Sequence, residues 1–268
     1  MGVTKNCDKC RERKRMWSMN NADKRRKYEK EARLKNPEKY AKKMARYQAT
    51  PGGSLVLLKN NAKKRNIPFE LEDEYVKYLT SQNCFYCDKE TTIDKRNSID
   101  RMINSDGYTI RNSVSCCSVC NVMKVCLDAL TFIERCIQID IGVQCHYWID
   151  ISYKSYAKYK SSVTRDGKEF VLSQEEYELL RKGKCTYCKR PSTDTHHNGI
   201  DRINSEMGYT IENCIPCCHD CNISKGKMSP EAFVEQNKKI AELWKDNIHT
   251  ISNIPRQTYI WSNLSKTC

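Results

Sequence analysis

The sequence has 268 residues with 47 Lys and Arg against 33 Asp and Glu, which gives a formal net charge of +14. This length predicts one or two domains, and an apolar content of 39% allows small cores but not the single large core of a big enzyme. The longest apolar run has four residues and the N-terminus lacks the apolar segment of a signal peptide, so we expect neither a membrane protein nor a secreted one.

The positive charge is concentrated in an N-terminal arm. Residues 1–50 hold 17 Lys and Arg against 6 Asp and Glu, whereas the rest of the chain holds 30 against 27. Such an arm is either a solvated helix or tail, or a helical segment that follows nucleic-acid phosphates and releases their counterions. Asn36 before Pro37 predicts the end of one helix and the start of the next. Pro51 and the two glycines after it predict a linker.

The rest of the chain is a tandem duplication. Residues 84–124 align without a gap with residues 185–225, and 18 of the 41 positions are identical. Weaker matches on both sides include Phe69 with Phe170. Chance does not produce this agreement, so we expect two modules of the same structure.

The residues around the duplicated segments predict how each module is organised. The acidic stretches 72–79 and 173–180 are expected to form short helices, and Ser173 with Glu176 makes a capping box. We therefore expect an α+β fold in which each module runs helix, cysteine pair, two short strands, second cysteine pair and helix. The expected boundaries are an arm at 1–50, a first module at 51–147, a second module at 148–247 and a tail at 248–268.

Each module contains two C-x2-C pairs, a pattern typical of structural zinc sites. Four thiolates satisfy the tetrahedral preference of Zn²⁺, so we expect two structural zinc ions per chain, in a reducing compartment and not in a disulfide scaffold. The neighbouring Cys116 and Cys217 leave a C-x3-C register open, and Cys7 with Cys10 leaves a third zinc open. The expected zinc ligands are Cys84, Cys87, Cys117, Cys120, Cys185, Cys188, Cys218 and Cys221.

Between the cysteine pairs both modules read I-D-R-x5-G-Y-T-I-x-N, and C-C-x2-C-N-x2-K follows. These residues resemble the HNH, or ββα-metal, nucleases, and among them the zinc-bound PacI-like restriction endonucleases, which also have Asp-Arg on the first strand. The resemblance covers about 51–145 and 152–247 and not the arm. It implies two tandem ββα-metal modules, each with a β-hairpin and a helix around one divalent cation.

The resemblance also implies which residues form each active site. An Asp on the first strand and an Asn directly after the last cysteine are the expected ligands of a catalytic Mg²⁺ or Mn²⁺, because both ions prefer oxygen ligands. A further Asn braces the loop, and a Lys one helical turn later is expected to hold a DNA phosphate. In the first module these residues are Asp100, Asn121, Asn112 and Lys124. In the second module they are Asp201, Asn222, Asn213 and Lys225.

The pattern leaves the general base open. The family's histidine is replaced by Arg101 and Arg202, which cannot accept a proton but can bind the scissile phosphate. Members with Asp-Arg are thought to use a tyrosine to start cleavage. The candidates are Tyr86 and Tyr187 inside the first cysteine pairs, with Tyr108 and Tyr209 as alternatives that otherwise serve packing.

The second module offers one further candidate for the base. His197 follows His196, and on an extended strand His197 would share a face with Asp201. It would then reach the metal or act as the base. The other interpretation is that both residues are exposed loop histidines.

The sequence therefore predicts an intracellular DNA endonuclease that hydrolyses phosphodiester bonds with a divalent cation. Its two modules are expected to act on double-stranded DNA as a pseudo-dimer within one monomer, in the manner of a restriction or homing enzyme, and a higher oligomer is left open. We expect it in the cytoplasm, nucleoid or nucleus, with a phage or virus among the sources considered. The alternatives are a zinc-dependent DNA-binding or architectural protein without cleavage, a junction nuclease and an RNA nuclease.

Overall fold

The computed structural model describes residues 8–48, 50–92, 96–143, 150–151 and 154–256. The chain divides into two compact units, Met1–Leu58 and Lys59–Cys268. In the described residues, no helix combines the length and the apolar character that crossing a membrane requires. The expected half-site of Cys7 and Cys10 includes a residue outside the described part of the chain.

The first unit contains the basic helices of the arm. They are α1 (Asp8–Asn20), α2 (Ala22–Lys35) and α3 (Pro37–Gln48). The expected break at Asn36 is confirmed, and its side-chain oxygen accepts a hydrogen bond from the N–H of Lys39 at 3.1 Å. The expected linker at Pro51 was wrong, because helix α4 (Pro51–Lys64) begins there. Proline suits the first position of a helix, where the backbone N–H has no partner in any case.

The first module is a short hairpin flanked by helices. In chain order, after α4, its elements are α5 (Asp73–Thr80), β1 (Ser98–Arg101), β2 (Ser113–Cys116), α6 (Ser118–Lys124) and α7 (Ala129–Asp140). The two strands are antiparallel, and Asp100 lies opposite Val114. The mixed α+β architecture expected from the sequence is confirmed.

The second module repeats this order. Its elements are α8 (Tyr156–Arg165), α9 (Gln174–Lys182), β3 (Gly199–Arg202), β4 (Cys214–Cys217), α10 (His219–Lys225), α11 (Pro230–Trp244) and a 3-10 turn (Ile248–Ile251). Strands β3 and β4 are antiparallel, with Asp201 opposite Ile215. The capping box of Ser173 and Glu176 at the start of α9 is confirmed.

A Gly-Tyr pair anchors the hairpin loop of each module. The N–H of Tyr108 donates to the carbonyl of Pro68 at 2.9 Å, and the N–H of Tyr209 donates to Glu169 at the same distance. A Cβ at Gly107 would lie 2.8 Å from the Pro68 carbonyl oxygen, so only glycine allows the two segments to approach this closely. These contacts fix the strand that carries each aspartate.

The two modules share one core. Helices α7 and α11 pack against each other, and this core contains Phe132 and Ile133 from the first module with Phe233 and Ile240 from the second. A separate cluster within the second module includes Phe170, Tyr177 and Ile200 of β3. The two modules are therefore joined by packing as well as by the chain.

Candidate functional site

Two groups of four cysteines lie where the sequence predicted zinc. Within each group the sulfur atoms all lie within 4.8 Å of one another. The Cys87 and Cys117 sulfurs are 3.8 Å apart, and those of Cys188 and Cys218 are 3.7 Å apart. Four sulfurs at about 2.3 Å from a tetrahedral zinc are separated by about 3.8 Å, so both groups could hold zinc.

The second cysteine pair of each module is also the start of a helix. Cys117 is the N-cap of α6, and its sulfur accepts a hydrogen bond from the N–H of Cys120 at 3.4 Å. Cys218 caps α10 in the same way, with the N–H of Cys221 at 3.4 Å. Each helix therefore begins on the sulfur cluster, and its position is set by the cysteines.

The C-x2-C register is the one that the structure brings together. The neighbouring Cys116 and Cys217 are outside the two groups, and their sulfurs donate to the carbonyls of Cys117 and Cys218 at 3.4 and 3.3 Å. A hydrogen bond from Cys116 lowers the pKa of Cys84 to about 3, which favours the thiolate that a metal requires. The C-x3-C alternative was therefore wrong.

The sequence predicts ordinary buried thiols at the cysteines that follow the pairs, namely Cys126, Cys136, Cys145 and Cys214. Cys145 lies outside the described residues, and the other three agree only in part. Cys136 and Cys214 are free and buried. Cys126 is buried but disulfide-bonded, so the expectation was wrong for this residue. Burial raises the pKa of Cys214 to about 12, so this thiol stays protonated near neutral pH.

A tyrosine, an aspartate and a lysine meet in the first module. The hydroxyl of Tyr86 donates to Oδ2 of Asp100 at 2.6 Å. The Lys124 ammonium lies 3.3 Å from Oδ1 and 3.2 Å from Oδ2 of the same carboxylate, and it also donates to the carbonyl of Arg101 at 3.0 Å. These bonds join the first cysteine pair, the hairpin and the end of α6. We call this group the Tyr–Asp–Lys cluster.

The second module contains the same cluster. The hydroxyl of Tyr187 donates to Oδ2 of Asp201 at 2.8 Å, and the Lys225 ammonium donates to Oδ1 at 3.1 Å and to the carbonyl of Arg202 at 3.3 Å. Since Asp201 has the same partner types as its counterpart, the duplication preserves the side-chain geometry as well as the backbone. The structure thus brings together the tyrosine and aspartate of both modules that the sequence singled out.

Both clusters are buried, which determines their charge state. Asp100 and Asp201 are 7% and 3% exposed, and both lysines are 0% exposed. Burial, followed by the charge of the adjacent aspartate, raises the pKa of Tyr86, and burial raises that of Tyr187 as well. The phenols therefore stay protonated, while each lysine compensates the charge of its carboxylate.

The position of the lysines corrects the role expected for them. Each lies at the last position of its short helix, and its ammonium is directed at a carboxylate. A side chain with no exposed surface cannot contact a DNA phosphate in this arrangement. Lys124 and Lys225 are therefore partners of Asp100 and Asp201 and do not form a phosphate site at the start of a helix.

The arginines beside the aspartates support the loop. Arg101 is 4% exposed and donates to the carbonyls of Asn104 and Asp106 at 2.7 and 2.9 Å. Arg202 donates to the carbonyl of Met207 at 2.6 Å but keeps part of its surface exposed. The expected contact with a scissile phosphate disagrees with the burial of Arg101 and stays a prediction for Arg202.

The central asparagines brace the loops as expected. The amide of Asn112 donates to the carbonyls of Ile103 and Gly107 at 3.0 and 2.9 Å, and its oxygen accepts from the N–H of Ile103 at 2.8 Å. Asn213 makes the corresponding bonds to Asn204 and Gly208. Each side chain closes the loop between the two strands.

The second pair of asparagines lies at the surface of the short helices. Asn121 is exposed, whereas Asn222 is half-buried and donates to the carbonyl of Ile200 on β3 at 3.3 Å. Ile200 precedes Asp201, so in the second module the asparagine reaches the strand that carries the expected metal ligand. The expected ligation by either asparagine stays a prediction.

Two histidines precede β3, and the structure gives them different surroundings. His196 is 1% exposed, where its Nδ1 accepts from the N–H of Ile151 at 3.2 Å and its Nε2 donates to Asn198 Oδ1 at 3.1 Å. Burial lowers the pKa of His196, so the neutral form is favoured. His197 is half-buried, and Asp201 is bonded instead to Tyr187 and Lys225. The interpretation as two exposed loop histidines was wrong for His196.

Asn198 is a structural residue that the sequence reasoning missed. Its amide donates to the carbonyls of Gly183 and Arg190, both at 2.8 Å, and it thereby joins the end of α9, the first cysteine pair and β3. The equivalent Asn97 donates to the carbonyl of Gln82 at 3.0 Å. The two asparagines are identical in the alignment of the duplicated segments, and this identity could have identified them from the sequence.

Comparison with known proteins shows that the chain is similar to a viral protein. A protein of Acanthamoeba polyphaga mimivirus, described as an uncharacterized protein, is 36% identical over 225 residues. The match covers 80% of this chain but only 42% of the viral protein, so the chain spans less than half of that relative. No protein-family model matches the chain, and no solved structure matches it. The viral relative agrees with a virus as one of the sources considered.

Proposed function

We propose that the protein is a DNA endonuclease with two HNH-like modules, each held together by a structural zinc ion. The observation that supports the proposal is the Tyr–Asp–Lys cluster, which occurs in both modules. Its aspartate lies on the first strand of each hairpin, and the tyrosine hydroxyl lies 2.6 and 2.8 Å from the aspartate oxygen. Two bonded side chains from separate segments, repeated after a duplication, favour a chemical role over incidental packing.

The proposed chemistry begins at the aspartate. Asp100 and Asp201 would hold a divalent cation together with Asn121 and Asn222, because their oxygen atoms suit Mg²⁺ or Mn²⁺. When bound, such a cation polarises the scissile phosphate and stabilises the leaving oxygen. Asp100 already carries a lysine ammonium as its positive partner. The cation and the ammonium therefore compete for one carboxylate.

The tyrosine supplies the proton transfer in this proposal. The phenol of Tyr86 donates to the carboxylate of Asp100, which is the direction required if the aspartate accepts the phenol proton. The tyrosine oxygen would then bond to the scissile phosphorus as the bond to the leaving oxygen breaks, and water would hydrolyse the resulting phosphotyrosine. Tyr86 is 0% exposed, so DNA reaches the hydroxyl only after the residues that cover it move. Tyr187 is 4% exposed, so the same requirement holds in the second module.

Nicking of supercoiled plasmid in the presence of Mg²⁺ tests the proposal. We expect Asp100→Asn and Asp201→Asn each to cut one strand, and the double variant to cut neither. Tyr86→Phe and Tyr187→Phe should reproduce the matching aspartate variant, because phenylalanine keeps the ring and loses only the hydroxyl. Tyr78→Phe is the matched control, since Tyr78 is 55% exposed on α5. Full cleavage by both aspartate variants would exclude the proposed sites.

The burial of both clusters favours a second candidate function, a zinc-dependent DNA-binding protein without cleavage. The charges of each cluster are already compensated, as in a structural ion pair. In that case the wild-type protein would bind duplex DNA in an anisotropy titration and leave the plasmid intact with Mg²⁺ or Mn²⁺. Cleavage that is lost in the double aspartate variant excludes this candidate.

The basic arm has the same proposed role in both candidates. Removing residues 1–50 removes 17 Lys and Arg and 6 Asp and Glu. Because phosphate contacts release counterions, we expect weaker DNA binding and a shallower dependence of log K on log salt. An unchanged salt slope would show that the arm does not contact DNA.

A further inference from the structure

The last helix of the second module contacts the cysteine pair that contains Tyr86. The indole Nε1 of Trp244 donates to the backbone carbonyl of Tyr86 at 3.2 Å. The same indole packs on Phe85, with ring centroids 4.9 Å apart, and Trp244 is only 7% exposed. A residue 158 positions away in the sequence therefore holds both residues of the first module's C-F-Y-C turn.

Other contacts connect the second module to the first. Gln236 on α11 donates to the sulfur of Cys120 at 3.3 Å. The hydroxyl of Ser224 donates to the carbonyl of Met123 at 2.8 Å, directly before the cluster lysine. These bonds reach the sulfur cluster and the short helix of the first module from one side.

The residues after α11 extend the same contact. Ile251 and Ile254 are buried in the shared core, and the guanidinium of Arg256 donates twice to Oε1 of Glu134 on α7, at 2.8 and 2.6 Å. Part of the predicted tail thus packs on the first module. The position of Trp244 is fixed on both sides, by α11 before it and by these residues after it.

Among the described residues, no side chain of the first module is equivalent to Trp244. The shift that relates the modules places Val143 at this position, and its side chain is 46% exposed and has no hydrogen-bond donor. Helix α7 ends at Asp140, and Gly142 follows in a left-handed conformation with φ of +70°, whereas α11 continues to Trp244. Among the described contacts, the tyrosine turn of the first module is therefore held by a tryptophan of the other module, and that of the second module is not.

The hydrogen bond from Trp244 helps to fix the orientation of the Tyr86 side chain. This side chain extends from the backbone that Trp244 holds, and the ring packs edge-on against Phe132 at 5.2 Å. Tyr187 packs in the same manner on Phe233 at 5.0 Å. The rings thus have equivalent supports, and the indole is an additional support for Tyr86. Without it, the peptide after Tyr86 gains freedom to rotate, and the distance to Asp100 is less well fixed.

We infer that Trp244 is a positioning residue for Tyr86, so that the first module's activity depends on the last helix of the second module. This inference rests on the proposed nuclease function. It adds a directional coupling, because the second module has no corresponding dependence on Val143.

The test uses variants in which a single module cuts. In the Asp201→Asn protein only the first module is active, and we expect Trp244→Phe to lower kcat about three- to tenfold with KM unchanged, since one hydrogen bond is lost and the ring is kept. Trp244→Ala should lower it further. In the Asp100→Asn protein, where only the second module cuts, Trp244→Phe should leave kcat unchanged. Val143→Ala is the matched control and should be silent in both.

Three measurements keep the outcomes distinct. Zinc content and the unfolding midpoint show whether each variant is folded. Tyrosine carrying a labelled Cζ atom gives an NMR signal for each hydroxyl environment, assigned with Tyr86→Phe and Tyr187→Phe. We expect Trp244→Phe to shift the Tyr86 signal and not that of Tyr187.

An equal loss of kcat in both single-module proteins would overturn the inference, as would an unshifted Tyr86 signal. If neither single-module protein cleaves DNA, the proposed function fails, and the NMR signal alone decides whether Trp244 positions Tyr86.

Discussion

The first and second modules contain the same Tyr–Asp–Lys cluster, but the residues that surround the clusters differ. In the second module, β3 is held by the buried His196 and Asn198, and a core of its own lies beneath the strand. In the first module, the cysteine pair is held by Trp244 from the other module. A duplicated site can thus keep its chemical groups while some of the contacts around its two copies differ.

The largest difference between the modules should follow from loss of one sulfur cluster. We expect Cys185→Ser to remove the second zinc and to destabilise both modules, because α11 supports the first. Cys84→Ser should remove the first zinc and leave β3 and β4 protected. Structural zinc contributes on the order of 10 kcal/mol, so both effects should be large. Elemental analysis and amide hydrogen exchange measure them, and full protection of the first module in Cys185→Ser would contradict this prediction.

The buried ion pairs should respond equally in the two modules. Asp100→Ala and Asp201→Ala each leave a lysine with 0% exposure without its carboxylate, which costs about 3–5 kcal/mol. Changing the lysine to methionine as well should restore most of the stability, because no buried charge remains. Urea unfolding of the single and double variants measures this. A double variant as unstable as the single one would mean that the pair is not the cause.

Substitutions in the Gly-Tyr loops should give a smaller difference in stability between the two modules. A Cβ at Gly107 would lie 2.8 Å from the backbone oxygen of Pro68, whereas at Gly208 it would lie 2.7 Å from the side-chain Cβ of Glu169 and 3.0 Å from that residue's backbone oxygen. Crowding of this kind costs about 1–3 kcal/mol. We expect Gly107→Ala to be the more destabilising, because the backbone of Pro68 can shift less than that of Glu169 to relieve the contact. Thermal unfolding of the two variants checks this order.

The smallest expected effect is a pH dependence that His196 of the second module contributes. Burial lowers the pKa of His196, so the unfolded chain binds the proton more readily than the folded chain. The stabilisation is complete above the unfolded pKa of 6.5 and decreases as the pH falls below it. The equivalent position of the first module is Lys95, so this histidine is not duplicated. His196→Asn should remove this component from unfolding curves between neutral and acidic pH, and unchanged curves would contradict it.

The sequence predicted the local features because each depends on a short pattern. The cysteine groups, the hairpin positions and the capping box of Ser173 require only residues within a few positions, and the duplication shows them twice. The spacing of Lys124 relative to Cys120 predicts where the lysine lies on its helix. It does not predict that the ammonium turns inward to Asp100, because packing of the helix on the hairpin decides this.

Contacts between distant segments could not be predicted. Nothing near Tyr86 identifies Trp244 as its partner, and Arg256 gives no local sign of binding Glu134. The linker expected at Pro51 failed for a different reason, since proline followed by glycines is also compatible with the first turn of a helix. The sequence therefore identified the tyrosine and the aspartate that meet in each module, but it did not identify the residues that hold them in place.

Helices α6 and α10 each have only seven residues, and each begins on a cysteine of a sulfur cluster. A helix of this length is not stable alone in water, because the cost of its first turn is recovered only over longer segments. Metal binding and helix formation would then be a single event during folding. The lysine at the far end of each helix reaches its aspartate only after that event. Zinc uptake would thus set the moment at which the buried charges are compensated, and refolding started by adding zinc should show the tyrosine environment changing at the same rate as the helix signal.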